Sequence, residues 1–213
     1  VDEYQFKGLE VVIPSHNTLL TQKEYDLLST VRIQNVHAPL FLNYPLRGLF
    51  KPLIKSMVMK TISVAHKCNA DNVIFDPFIY YKDKKTTTQL MQKVFSELTK
   101  YQLNYLITTP KKIKTPKYCL ATQQEVYDFC EDKLLAMNLN VLNAISHDVT
   151  QPHQCVEKYF EKIKNIHISD TNQGMLGKGL VKVGDLFDAL KRNSYDHYIT
   201  LEGNNLSKSL IEH

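Results

Sequence analysis

The chain has 213 residues, 43% hydrophobic and 23% charged, with a formal net charge of +4, which suits one globular domain over 1–213 and lacks the concentrated basic excess of a dedicated nucleic-acid binder. No apolar run approaches the roughly 20 residues of a membrane-spanning helix and no secretory leader pattern opens the chain, so a soluble, cytoplasmic protein is expected. Four cysteines, Cys68, Cys119, Cys130 and Cys155, are scattered without metal or redox spacing and read as buried thiols.

In chain order, Leu9 to Ile13 is a β-branched run closed by Pro14, and Thr21 to Thr30 predicts a short helix. Val31 to Leu42 predicts a second strand, and Leu53 to Cys68 a helix with Ile54, Val58, Thr61, Ile62 and Ala65 on one face. Asn72 to Pro77 and Asn104 to Pro110 are further strands, separated by a helix over Thr88 to Tyr101. Thr122 and Glu125 form a capping box for a helix expected to run to Met137. Val141 to His147 is expected as a strand feeding a helix through Val156, Tyr159, Phe160 and Ile163. Asn165 to Asp170 and Tyr195 to Gly203 supply the last two strands, with a glycine turn at Gly177-Lys178-Gly179 and a helix between them.

Seven strands alternating with helices, at roughly 30 residues per unit, predict a parallel sheet. An open doubly wound sheet is the alternative, yet no glycine-rich phosphate loop follows any strand, so no nucleotide cofactor is expected. Polar residues gather at the carboxyl ends of the strands, which favours an α/β fold of the (β/α)8 TIM-barrel type. Seven strands are recognisable, one short of a full barrel. Because the chain opens on Val1, the first βα unit is expected upstream of it.

The quoted strand ends, together with Gly8-Leu9-Glu10-Val11-Val12, His37-Ala38-Pro39, Asp76-Pro77, Ile145-Ser146-His147, His167-Ile168-Ser169-Asp170 and Leu201-Glu202, resemble the xylose isomerase-like superfamily. That group contains sugar isomerases and epimerases and the metal-dependent apurinic-site endonucleases of family 2. The resemblance implies a divalent metal at the carboxyl-end mouth of the barrel, where it acts as a Lewis acid. In the isomerases and epimerases the ligands are a glutamate, an aspartate, a histidine and a glutamate after the fifth to eighth strands. His167 and Glu202 match the last two. Ile107 or Thr108 stands in place of the first glutamate, and Ala144 in place of the aspartate. The endonucleases add histidines, of which His37 and His147 match two. Asp76 replaces a third, and the Asp-x-His before the glycine turn is missing, with Thr171 and Gln173 nearest to it.

The resemblance therefore implies a rearranged metal set of His37, Asp76, His147, His167 and Glu202, suited to one zinc, manganese or iron ion. Glu202 is the expected acid–base group. For His37 and His147 an equally good reading is a polar side chain capping the core. Asp170 is expected to hold a loop, and Glu10 has no evident chemical role. Lys111, Lys112 and Lys178 lie in loops on the functional face, where they read either as solvated loop residues or as a means of attracting an anionic ligand, a phosphorylated sugar or a nucleic-acid backbone. His16, His66, His153, His197 and His213 show no ligand spacing and are expected at the surface. The leading expectation is a divergent sugar isomerase or epimerase. A barrel that binds an anionic small molecule or a protein partner without catalysis is the alternative, and an endonuclease relative acting on nucleic acid ranks last.

Overall fold

Helices and strands form in the alternating order that the hydrophobic pattern dictates, and their register is fixed by parallel pairing. The computed structural model describes residues 6–13, 20–39, 51–80, 83–112, 117–131, 135–146, 151–170 and 176–202. The first half comprises β1 (Leu9–Val12), α1 (Gln22–Leu28), β2 (Ile33–His37), α2 (Lys51–Lys67), β3 (Asn72–Phe75), β4 (Ile79–Tyr80) and α3 (Lys84–Leu98). The second half comprises β5 (Asn104–Thr108), β6 (Lys117–Tyr118), α4 (Gln123–Glu131), β7 (Leu135–Asn140), α5 (Val141–Ser146), α6 (Pro152–Tyr159), β8 (Ile163–Ile168), α7 (Val183–Arg192) and β9 (Tyr198–Leu201).

Seven strands pair in parallel in the order β1-β2-β3-β5-β7-β8-β9, while β4 and β6 form a separate antiparallel pair. The order never reverses, as it would in a doubly wound sheet. The sheet curls instead into a nearly closed barrel with helices outside, as the sequence predicts. Among the described residues no helix is long and apolar enough to cross a membrane. All four cysteines are buried free thiols.

Side chains alternate across the sheet. Val36, Val73, Ile107, Leu139 and Ile166 join the apolar layer beneath the helices. Phe95 of α3 is central to that layer, with its ring 5.2 Å from Phe75 and 6.2 Å from Phe129, both edge-on.

One segment departs from expectation. The helix expected to reach Met137 ends at Glu131, and the strand expected over Val141–His147 is instead helix α5, preceded by β7. Leu135, Ala136 and Met137 favour helix, but pairing with β5 and β8 overrides that preference. Asn140 closes the strand and its Oδ1 accepts the Asn143 backbone N–H at 3.1 Å, the bond of a helix N-cap. The expected capping box at Thr122 forms in altered shape. Thr122 Oγ1 accepts the Glu125 N–H, while the Glu125 carboxylate accepts from Ala121, one residue earlier than usual.

The inward faces of the strands carry amides where barrels of this type usually hold branched aliphatic residues. Asn72 Nδ2 donates to Asn35 Oδ1 at 2.9 Å, and Asn35 Nδ2 reaches Glu10 Oε2 at 3.0 Å and Thr200 Oγ1 at 3.3 Å. Thr200 Oγ1 donates to Asn165 Oδ1 at 3.2 Å, Asn165 Nδ2 to Asn138 Oδ1 at 2.9 Å, and Asn138 Nδ2 to Thr108 Oγ1 at 3.1 Å. The circuit touches every strand of the main sheet. Among the described residues β1 and β9 exchange no backbone hydrogen bond, so this belt of side chains carries the hydrogen bonding across the seam between them. Asn138 is fully buried, and losing it leaves two buried groups unpaired. Asn138→Ala is expected to lower the unfolding free energy by about 2 kcal/mol in urea titration; an unchanged midpoint would show that the belt is not structural.

Candidate functional site

The pleat that builds the belt also aims the functional side chains. Tyr198, Thr200 and Glu202 share one face of β9, and Asn165 and His167 share one face of β8. The Glu202 backbone N–H donates to the Ile168 carbonyl at 2.9 Å, extending the ladder one residue past β9 and holding Glu202 on the inward face. His37 ends β2 and Asp76 follows β3. The strand ends thus bring His37, Asp76, His167 and Glu202 to one mouth. His147, the fifth expected donor, lies outside the described residues, as do Thr171 and Gln173.

His167 is the centre of the cluster. Its Nε2 lies 2.9 Å from Glu10 Oε2 and its Nδ1 2.8 Å from Glu202 Oε1. Only a doubly protonated ring can donate to both carboxylates. Burial opposes the charged ring, but the hydrogen bonds to Glu10 and Glu202 and their negative charges outweigh it, and its pKa is pushed up to about 10. Burial also pushes both carboxyls up, yet His167, helped by the charge of His37, holds each below its ordinary value. The Glu10 side chain is 7% exposed and that of Glu202 is 39% exposed, so Glu202 is the carboxylate that incoming solute can meet.

Glu10 is the residue that sequence reasoning left without a role. Its partner lies 157 positions away, and no local pattern signals that contact. A second correction concerns the missing aspartate. Ala144 lies buried within α5, so it does not end a strand; Asn140 does. Asn140 is isosteric with aspartate and its Nδ2 donates to Glu202 Oε2 at 3.1 Å. Ile107 faces the outer apolar layer, and Thr108 is engaged by Asn138 in the belt.

The His37 ring stands 5.9 Å from that of His167, tilted by 48°, and its Nε2 is 4.0 Å from Asp76 Oδ2. That oxygen is buried and makes no hydrogen bond among the described residues. Burial pushes the Asp76 carboxyl above its ordinary range, against the pull of His37 and His167. A buried oxygen without a donor is the observation that fits a cation. The donor types, imidazole and carboxylate, suit a divalent metal. Among the described residues, however, no three such side chains stand in ligand geometry, and His167 would have to release a carboxylate from one nitrogen to bind.

Asp170 holds the glycine turn, as expected. Its carboxylate accepts the backbone N–H groups of Gly177 at 3.0 Å, Gly179 at 2.9 Å and Val181 at 3.3 Å, and Gly177 has a φ of +83° that favours glycine. Lys178 is exposed on that turn, and Lys111 and Lys112 are exposed beyond β5.

No protein-family model matches the chain, and no curated protein matches it. Solved structures do. A D-tagatose 3-epimerase-like protein superposes with a TM-score of 0.80 at 17% identity, covering 99% of this chain and 86% of that one. The D-allulose 3-epimerase of Methylomonas sp. gives 0.78 at 15% identity, covering 98% and 80%. An AP endonuclease of family 2 from Brucella melitensis gives 0.74 at 14% identity, covering 95% and 84%. The shared feature at these identities is the fold, and it is the fold of the two branches that the sequence resembles.

The cluster ties stability to pH. The raised His167 contributes stability that is complete below its unfolded pKa of 6.5 and lost as pH rises through about 10. The depressed Glu10 and Glu202 contribute stability that is present above 4.5 and lost as pH falls through their lower folded values. Thermal melts are expected to show a decline from about pH 7 to about pH 10 that flattens in His167→Gln. A decline of equal slope in the variant would mean that other groups cause it.

Proposed function

We propose that this chain is a divergent isomerase- or epimerase-like barrel protein that takes a small sugar or polyol at the mouth formed by His37, Asp76, His167 and Glu202. The observation that carries the reading is the buried oxygen of Asp76, without a hydrogen-bond partner among the described residues, near a histidine held between two carboxylates. The epimerase-like neighbours supply the substrate class. Glu202, the more exposed carboxylate, is the group positioned to take or return a proton. Glu10 orients the His167 ring from below, and the Asn140 amide orients Glu202. His37, Asp76, His167 and Glu202, with His147, would hold one zinc, manganese or iron ion. Such an ion would polarise a carbonyl or hydroxyl of the sugar. Lys111, Lys112 and Lys178 would favour an anionic substrate.

A second reading has an observation of its own. Both nitrogens of His167 already face carboxylates, an arrangement that satisfies the ring without a metal and suits a barrel that binds an anionic small molecule or a protein partner without catalysis.

Metal content separates the two. Protein purified without chelator is expected to carry roughly one zinc, manganese or iron ion per chain by elemental analysis, and the His167→Ala, Glu202→Ala double variant to lose most of it. Trace metal that the variant leaves unchanged favours the second reading. Exchange of solvent deuterium into a keto sugar such as D-allulose is expected to fall by about 100-fold or more in Glu202→Gln; exchange unaffected by that change would remove Glu202 from the chemistry.

A further inference from the structure

The amino ends of the strands, opposite the mouth, line an open cleft of about 950 Å³, within the size range of small-molecule sites. It opens among the starts of β3, β5, β7, β8 and β9, where Arg32, Asp71, Lys162, Lys164 and His197 supply charge or hydrogen bonds. Leu103, Leu135 and Ala136 supply an apolar wall.

The charges divide unequally. Asp71 Oδ2 accepts from Arg32 at 2.8 Å and from the Tyr198 hydroxyl at 3.0 Å, so that pair is satisfied internally. Lys164 Nζ lies 2.6 Å from His197 Nε2, and burial together with the Lys164 charge pushes the His197 ring toward its neutral form. A neutral ring accepts a hydrogen bond without cancelling the ammonium charge. Among the described residues Lys162 Nζ reaches only the Glu131 carbonyl, at 3.4 Å. Two ammonium groups thus share the lining with one remaining carboxylate, Glu161, which has no ion-pair partner among the described residues.

We propose that this amino-end cleft is a second small-molecule site that takes a phosphate monoester, with the phosphate against Lys162 and Lys164 and an apolar or aromatic body against Leu103, Leu135 and Ala136. A phosphate dianion suits two lysines, which act as point charges and need no fixed fork geometry. His197 is at the surface, as the sequence predicts, and holds Lys164 in place. The site is independent of the metal question at the mouth.

Amide NMR on the ¹⁵N-labelled protein tests the assignment with two probes, phenyl phosphate and inorganic phosphate. Phenyl phosphate is expected to shift the amides of Gln102, Leu103, Lys164 and His197 and to bind about tenfold tighter than inorganic phosphate, because only it covers the apolar wall. Lys164→Gln, checked for an unchanged spectrum elsewhere, is expected to weaken both about fivefold or more. Equal affinity of the two probes in the unmodified protein overturns the proposal without recourse to a variant. So do shifts confined to the loops of Lys111, Lys112 and Lys178, binding that Lys164→Gln leaves unchanged, or no shift with either probe.

Discussion

The belt of amides through the barrel interior is the constraint on which the rest depends. A buried amide without a partner is costly, and here Asn35, Asn138 and Asn165 each use both ends of the side chain on neighbouring strands. A slip of one residue in any strand would turn its belt side chain outward and leave its neighbours unpaired. Register, curvature and the contact across the seam are therefore set by one network. Glu10 belongs to it through Asn35 and passes out of it to His167, so the mouth rests directly on the belt.

That coupling accounts for the altered ligand pattern. Thr108 is tied to Asn138 within the belt, and Asn140 caps α5 while donating to Glu202. Both positions hold neutral groups engaged in structure where the resemblance expects carboxylates. The negative charge of the mouth comes instead from Glu10, Asp76 and Glu202, which surround the two imidazoles of His37 and His167. Three carboxyls and two rings in a partly buried space explain why the shifts at Asp76 and at His167 are both upward although the groups carry opposite charge when ionised. Asp76 is dominated by burial and has no close donor among the described residues, whereas His167 has two acceptors.

Much of this was legible in the sequence. Six of the seven strands, the glycine turn, the loop role of Asp170 and the meeting of His167 with Glu202 follow from alternation, turn chemistry and the shared end of parallel strands. The segment after Glu131 was not legible, because its inward residues are Asn138 and Asn140 and its outward ones are apolar. That is the reverse of a half-solvated strand, and Leu135 to Met137 favours helix. Glu10 was missed for a related reason. A lone glutamate in a short strand is ordinarily at the surface, and only the closed barrel places it beside His167. The belt itself has no local signature, since each asparagine in isolation reads as a turn or strand-end residue.

The seam has a mechanical consequence. Elsewhere around the barrel, neighbouring strands are joined by ladders of backbone bonds that must break together, but across the seam the described residues are joined by Thr200 of β9 with Glu10 of β1 and Asn35 of β2, by Glu10 with His167 of β8, and by Tyr198 of β9 with Asp71 before β3. Those contacts can part singly, and three of the four involve a group that can change its proton. The wall of the barrel thus has a hinge line where fluctuation is least restrained, with Leu9, Val12, Ile199 and Leu201 already partly in solvent along it. Slow opening of the molecule will begin there, so amides of β1 and β9 will exchange with solvent ahead of those in β5 and β7.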